Sequence, residues 1–263
     1  MKKIFLVVAL ALTASVAGAW NNNADEGIVV LASKHLSAEA KSMVNQYLGE
    51  SFADDVQYLT NLERKKKATH TTEIHYLHLD NRLQPKKVEG DDAYAAIEQS
   101  LTTIRNRNSH SKAEVVAAMR TLINLMCDIH DIARIRIDGF DHSQQNFKFL
   151  QYAGDIGKRK TTSNAKWSSF WYSYSNWHIG FSGALWAEDL ELCLGAHREQ
   201  LSKGTLQDWV TQNGAIAAKM YSKINPEYVM TRRERNELEV LNYEMMARAG
   251  YRLAVLYTRK QCI

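Results

Sequence analysis

The stretch AAMRTLINLMCDIHDIAR, residues 117–134, sets polar and charged side chains into an otherwise apolar run. Asn124 and Asp128 stand four residues apart. On a helix that spacing puts both on one face, a turn apart, as paired metal ligands would be. His130, Asp131 and Arg134 follow at once. A plainer reading has Asp128 and His130 facing solvent while Leu122, Leu125, Met126 and Ile129 fill the core. Upstream, EIHYLHLD (73–80) carries His75 and His78. Three residues apart, they share a helix face but point opposite ways on a strand, so one could be a ligand and the other a surface or core histidine. KWSSFWYSYSNWH (166–178) crowds six aromatic rings and His178 into 13 residues. Such rings can stack on nucleobases or tie a loop to the core. RKKK (64–67) reads as a solvated face. No Walker loop, GxSxG elbow, HExxH or CxxC pair occurs.

The elements that must hold these residues are helical. Residues 26–48 place Ile28, Leu31, Ala32, His35 and Leu36 on one stripe, with Ser37 able to cap a fresh helix and Gly49 to end it. Further runs are expected over 92–107, 112–133, 184–201, 205–223 and 232–259, the last capped by Thr231. Only two prolines and 13 glycines interrupt the chain. Residues 138–181, rich in Gly, Ser, Asn and aromatics, read as a long irregular connection. The expected fold is a single all-α domain over residues 20–263.

Residues 1–19 read as a signal peptide. Lys2 and Lys3 precede the apolar run Ile4–Leu12, and Ala17-Gly18-Ala19 offers a small-x-small cleavage site before Trp20. That run is too short for a permanent bilayer span, and no later one is long enough. The protein is therefore expected in the periplasm or secreted. The formal charge of +4, to which Lys2 and Lys3 contribute, makes no basic stripe for duplex DNA. Of Cys127, Cys193 and Cys262 at least one stays unpaired. An oxidising compartment permits one bridge, Cys193–Cys262 being one choice that spacing does not decide.

Taken together, the order of these features resembles the zinc-dependent S1/P1 single-strand nuclease family, whose helical fold is shared with bacterial phospholipase C. A signal peptide ends directly before Trp20. LSAEAKSMVNQYLG (36–49), an acidic residue at Glu63, HYLHLD (75–80), the apolar-x-Asp-apolar helix of 122–129, a late DWV and a terminal AGYRLAVLY follow in order. The resemblance covers nearly the whole chain after residue 19 and is weakest between 135 and 181.

It implies that the amine and carbonyl of Trp20 bind zinc, with Asp25 standing where the family has a histidine. Glu63 aligns with the family's metal-bound aspartate and His75 with the next ligand. On the central helix the family runs H-F-x-G-D-M-x-x-P-x-H. This chain keeps the bridging aspartate as Asp128 but has Asn124 for the first histidine, Ile132 for the proline and Arg134 for the last histidine. The closing family motif falls on residues 166–172, putting Ser168 and Tyr172, or one residue earlier Trp167 and Trp171, at ligand positions.

A site built from Arg134, Ser168 and Tyr172 cannot hold zinc, because a guanidinium stays charged and repels a divalent cation. The resemblance leaves Trp20, Asp25, Glu63, His75, Asn124 and Asp128 as metal ligands. They could hold zinc or another divalent cation, fewer than the family's three, or none. Two functions are expected from it. One is a phosphoesterase with a reduced metal site, acting on single-stranded nucleic acid or nucleotides through Glu63, Asp128 and Arg134. The other is a catalytically inactive relative that binds a ligand or partner. An unrelated helical periplasmic protein with an accidental pattern is the third reading.

Overall fold

The 117–134 run does form a helix, and the chain breaks it just after its key aspartate. The computed structural model describes residues 20, 22–49, 56, 58, 73–88, 92–142, 146–151, 161–175 and 181–259. The chain is mostly helical over these residues, with few strands. Helices α1 (Asn22–Lys34) and α2 (Ala38–Leu48) meet at Ser37, whose hydroxyl accepts from Ala40 N, and α2 stops at Gly49 with φ of 81°. Asp92 caps α3 (Ala93–Arg105), and Ser111 with Glu114 forms a reciprocal cap on α4 (Lys112–Asp128). After α5 (Trp167–Ser175) and α6 (Gly183–Leu194), a 3-10 turn at Gly195–His197 leads into the short α7 (Arg198–Ser202). Thr205 with Asp208 opens α8 (Leu206–Tyr221), and Thr231 with Glu234 opens α9 (Arg232–Thr258).

Two short sheets join the helices. In one, β1 (Leu77–Leu79) pairs in parallel with β2 (Ile135–Ile137), Leu77 opposite Ile135. In the other, β3 (Asn146–Gln151) lies between antiparallel β4 (Thr161–Lys166) and parallel β5 (Val229–Met230). This corrects the expectation of an irregular connection over 138–181. The described part of that segment holds two paired strands and a helix, though residues 143–145, 152–160 and 176–180 lie outside the described set. The aromatic run makes α5, with Trp167, Phe170 and Trp171 buried; Trp167 and Phe170 stack against Phe147 of β3.

The core is built where α1 packs against α6 and α9, and α3 against α4. Close approach on α1 requires Gly27. A Cβ there would lie 2.3 Å from Trp186 Cβ of α6. Among the described residues no helix is long and apolar enough to cross a membrane. Cys127 is buried and Cys193 exposed, both free thiols, while Cys262 lies outside the described residues.

Candidate functional site

The geometry of the central site follows from the parallel β1–β2 ladder. Each strand is entered from a 3-10 turn, Glu73–His75 before β1 and Ile132–Arg134 before β2. In-register pairing of Leu77 with Ile135 therefore brings His75 beside the turn that carries Arg134, although the two are far apart in sequence. Asp128 closes α4 immediately before the second turn. A carboxylate there faces the negative end of the helix dipole, which is unfavourable unless a cation answers it.

Two groups answer it. His75 Nδ1 lies 2.7 Å from Asp128 Oδ2, and Arg134 Nε lies 3.3 Å from Asp128 Oδ1. Arg134 Nε also lies 3.4 Å from Asp131 Oδ2. Asp131 additionally caps its own turn by accepting from Ala133 N. His75, Asp128, Asp131 and Arg134 are all buried. Asp128 and His130, which the plainer reading turned toward solvent, are thus inside. His130 is fully buried, with Nδ1 on Met126 O.

The first turn of α1 supplies a third carboxylate. Asp25 Oδ1 accepts from the backbone N–H of buried Trp20 at 3.3 Å. Burial pushes the Asp25 carboxyl well above the ordinary range, and the charge of Asp128 pushes it further, while Arg134 pulls back. Asp131 is raised by burial to about 7 even with Arg134 beside it. Burial works against the Arg134 charge, but Asp128 and Asp131 hold it firmly protonated. Tyr172 of α5 is raised by burial and then by Asp25, and it also feels Arg134, so it belongs to the same electrostatic neighbourhood. Cys127 is raised by burial, then by Asp25 and Asp128.

The structure thus gathers Trp20, Asp25, His75, Asp128 and Arg134 around one buried charge cluster. Asn124, also buried, turns its amide nitrogen back to Arg120 O on its own helix. Ser168 is exposed, whereas Trp167 and Trp171 are core residues. Glu63 lies outside the described residues. Asp131 is the member that sequence reasoning missed, although its position three residues before Arg134 on one turn was a usable signal.

The donor set among the described residues falls short of the family's full three-ion cluster. Among the described residues, no group of three or more His, Cys, Asp or Glu side chains is arranged to hold a metal ion. His75 and Asp128, the two best donors, are engaged with each other, and Arg134 takes the other Asp128 oxygen. No family model matches the chain, and no curated protein matches it. The family resemblance therefore rests on the residues and motifs alone.

Proposed function

We propose that this protein is an exported, catalytically inactive relative of the S1/P1-type nucleases that binds a ligand or partner with the descendant of the metal cleft. The observation that carries this reading is the ion pair of Arg134 with Asp128, shared with Asp131 and buried throughout. Carboxylates gathered in a low-dielectric site repel one another and need a cation. In the family metals serve that purpose; here a permanently charged guanidinium stands among the carboxylates. A guanidinium neutralises charge but neither activates a water nor acts as a Lewis acid, the two roles a metal would bring to phosphate-ester hydrolysis.

A second reading is favoured by Asp25. Its carboxyl binds a proton more tightly than an ordinary aspartate does, and one divalent cation could take that proton's place beside Asp128, which His75 holds from its other side. Such a protein would be a phosphoesterase with a single-ion site. Metal analysis of the purified protein, joined to cleavage assays on single-stranded DNA with Zn²⁺, Mn²⁺ and Mg²⁺, separates the two. The first reading expects no stoichiometric metal and no cleavage above that of an Asp128→Asn control. Bound metal together with cleavage abolished by Asp128→Asn would replace it with the second.

A further inference from the structure

A second buried cation lies away from this cluster, and among the described residues none of its hydrogen-bond partners is a carboxylate. Arg252 of α9 is 1% exposed. Its Nε donates to Leu201 O at 3.0 Å, its Nη1 to His130 Nε2 at 3.0 Å and to Asn213 Oδ1 at 3.4 Å, and its Nη2 to Gln212 Oε1 at 2.6 Å. Trp209 lies against its guanidinium at 5.2 Å. Every acceptor is neutral. The His130 contact fits the tautomer with the proton on Nδ1, which faces Met126 O.

Glu244 attracts Arg252, but that carboxylate is already paired with Arg248 through Nε and Nη2. Burial, followed by the repulsion from Arg248, lowers the Arg252 pKa to about 9. A buried charge held by neutral dipoles and sharing one carboxylate with a second arginine leaves a positive field around it.

Beside Arg252 lies a cleft of about 970 Å³ between the start of α8 and the side of α9. Gln212, the residue that receives Arg252, lines it, as do Arg248, Lys203, Gln207, Thr211 and Gln84. Arg248 Nη1 also reaches Gln212 Oε1, at 3.4 Å. With its oxygen held by two arginines, the Gln212 amide nitrogen is the end left to donate toward the cleft. Gln207 Nε2 donates to Gln84 Oε1 at 3.1 Å, and Tyr94 O–H donates to Gln207 Oε1 at 3.2 Å, which fixes a row of side-chain amides along the wall. Lys203 makes no ion pair among the described residues; Asp208, the cleft's acidic member, keeps its charge, held there by accepting from Thr205 N–H and O–H as it caps α8.

Fixed amides and hydroxyls suit a ligand rich in hydroxyl groups, while the cations suit an anionic group. We infer that this cleft binds a small hydroxylated anion of the sugar-phosphate class, its phosphate set between Lys203, Arg248 and Gln212 and its hydroxyls on Gln84, Gln207 and Thr211. The inference uses none of the groups that carry the proposed function, so each can fail alone.

Calorimetric titration with glucose 6-phosphate tests it, with inorganic phosphate and glucose as controls. Saturable binding of glucose 6-phosphate in the ~1 mM range or tighter is expected, with weaker binding of phosphate and weakest of glucose. Gln212→Glu supplies a carboxylate internally. It is expected to raise the melting temperature of the free protein and to weaken glucose 6-phosphate by roughly tenfold or more, because the ligand's charge then meets a like charge. Lys203→Glu, on the exposed rim, is expected to weaken binding in the same direction without touching the buried network. Absence of glucose 6-phosphate binding overturns the inference. So does glucose binding as tightly as its phosphate, or unchanged affinity in both variants.

Discussion

Arg134 decides what the central cluster can be, and its effect depends on pH. Between the unfolded carboxyl pKa near 4 and the folded value of about 7 for Asp131, the native state holds a proton that the unfolded state has lost. Asp25 shifts in the same direction. Both groups therefore favour the fold most at acid pH, and that contribution is lost as pH rises through the folded values. Arg134→Ala strips the cation from a buried carboxylate, at a cost of about 3–5 kcal/mol where the pair is truly buried. The loss should be larger near pH 8, above the Asp131 value of about 7, than near pH 5, where Asp131 keeps its proton and brings no second charge to the pair. Chemical denaturation of both proteins at the two pH values measures this. An Arg134→Ala variant with wild-type stability at pH 8 would show that the pair carries no weight. The pairing could be anticipated only from the resemblance, which sets Arg134 at a lost metal-ligand position beside the bridging aspartate, where buried carboxylates need a cation. The sharing with Asp131 was not read, because its role depends on the helix stopping at Asp128, a break that the continuous apolar run hides.

At the scale of elements, the helices were legible where polar caps bracket an apolar stripe. Ser37, Asp92 and Thr231 each stand where a helix begins, and Gly49 where one ends. The expected run over 184–201 is instead two helices parted at Gly195. The strands were harder to see. Those of 146–151 and 161–166 are six residues each, too short for a period of two to stand out among Gly, Ser and Asn. The β1–β2 ladder is shorter still, yet it aligns the two 3-10 turns that carry His75 and Arg134. No local pattern announces a parallel pairing between segments so far apart, so the convergence of the site was reachable only through family resemblance. Helix contact has its own sharp determinant in Gly27. With Trp186 Cβ at 2.3 Å from a modest added methyl, Gly27→Ala must push α1 away from α6, for roughly 1–3 kcal/mol. In an open helix the same change would stabilise by up to about 1 kcal/mol. The sign of the shift in denaturation midpoint therefore reports whether the two helices are truly in contact.

Across the whole molecule, the start of the chain and the charge balance of the interior are one problem. Asp25, Asp128 and Asp131 are buried together against one guanidinium and one histidine. The Trp20 nitrogen sits 3.3 Å from Asp25 Oδ1, and within an uncut chain it is an amide that brings no charge. Cleavage after Ala19, as the leader pattern suggests, would turn the same atom into an α-amine with an ordinary pKa near 7.7–8.0, raised further by a carboxylate partner. An ammonium there would draw the Asp25 carboxyl down into its charged form and supply the cation the cluster is short of. A chain produced to begin at Trp20 should then melt higher at pH 7 than one carrying two extra residues ahead of it. The difference should shrink as pH rises through the raised pKa of the folded amine, where the ammonium loses its proton. Equal melting temperatures at pH 7 would mean that the amine contributes nothing to the cluster. Mass spectrometry of the protein isolated from its native cells and their medium supplies the other half of the test, since an N-terminus anywhere but Trp20 leaves Asp25 facing a neutral amide.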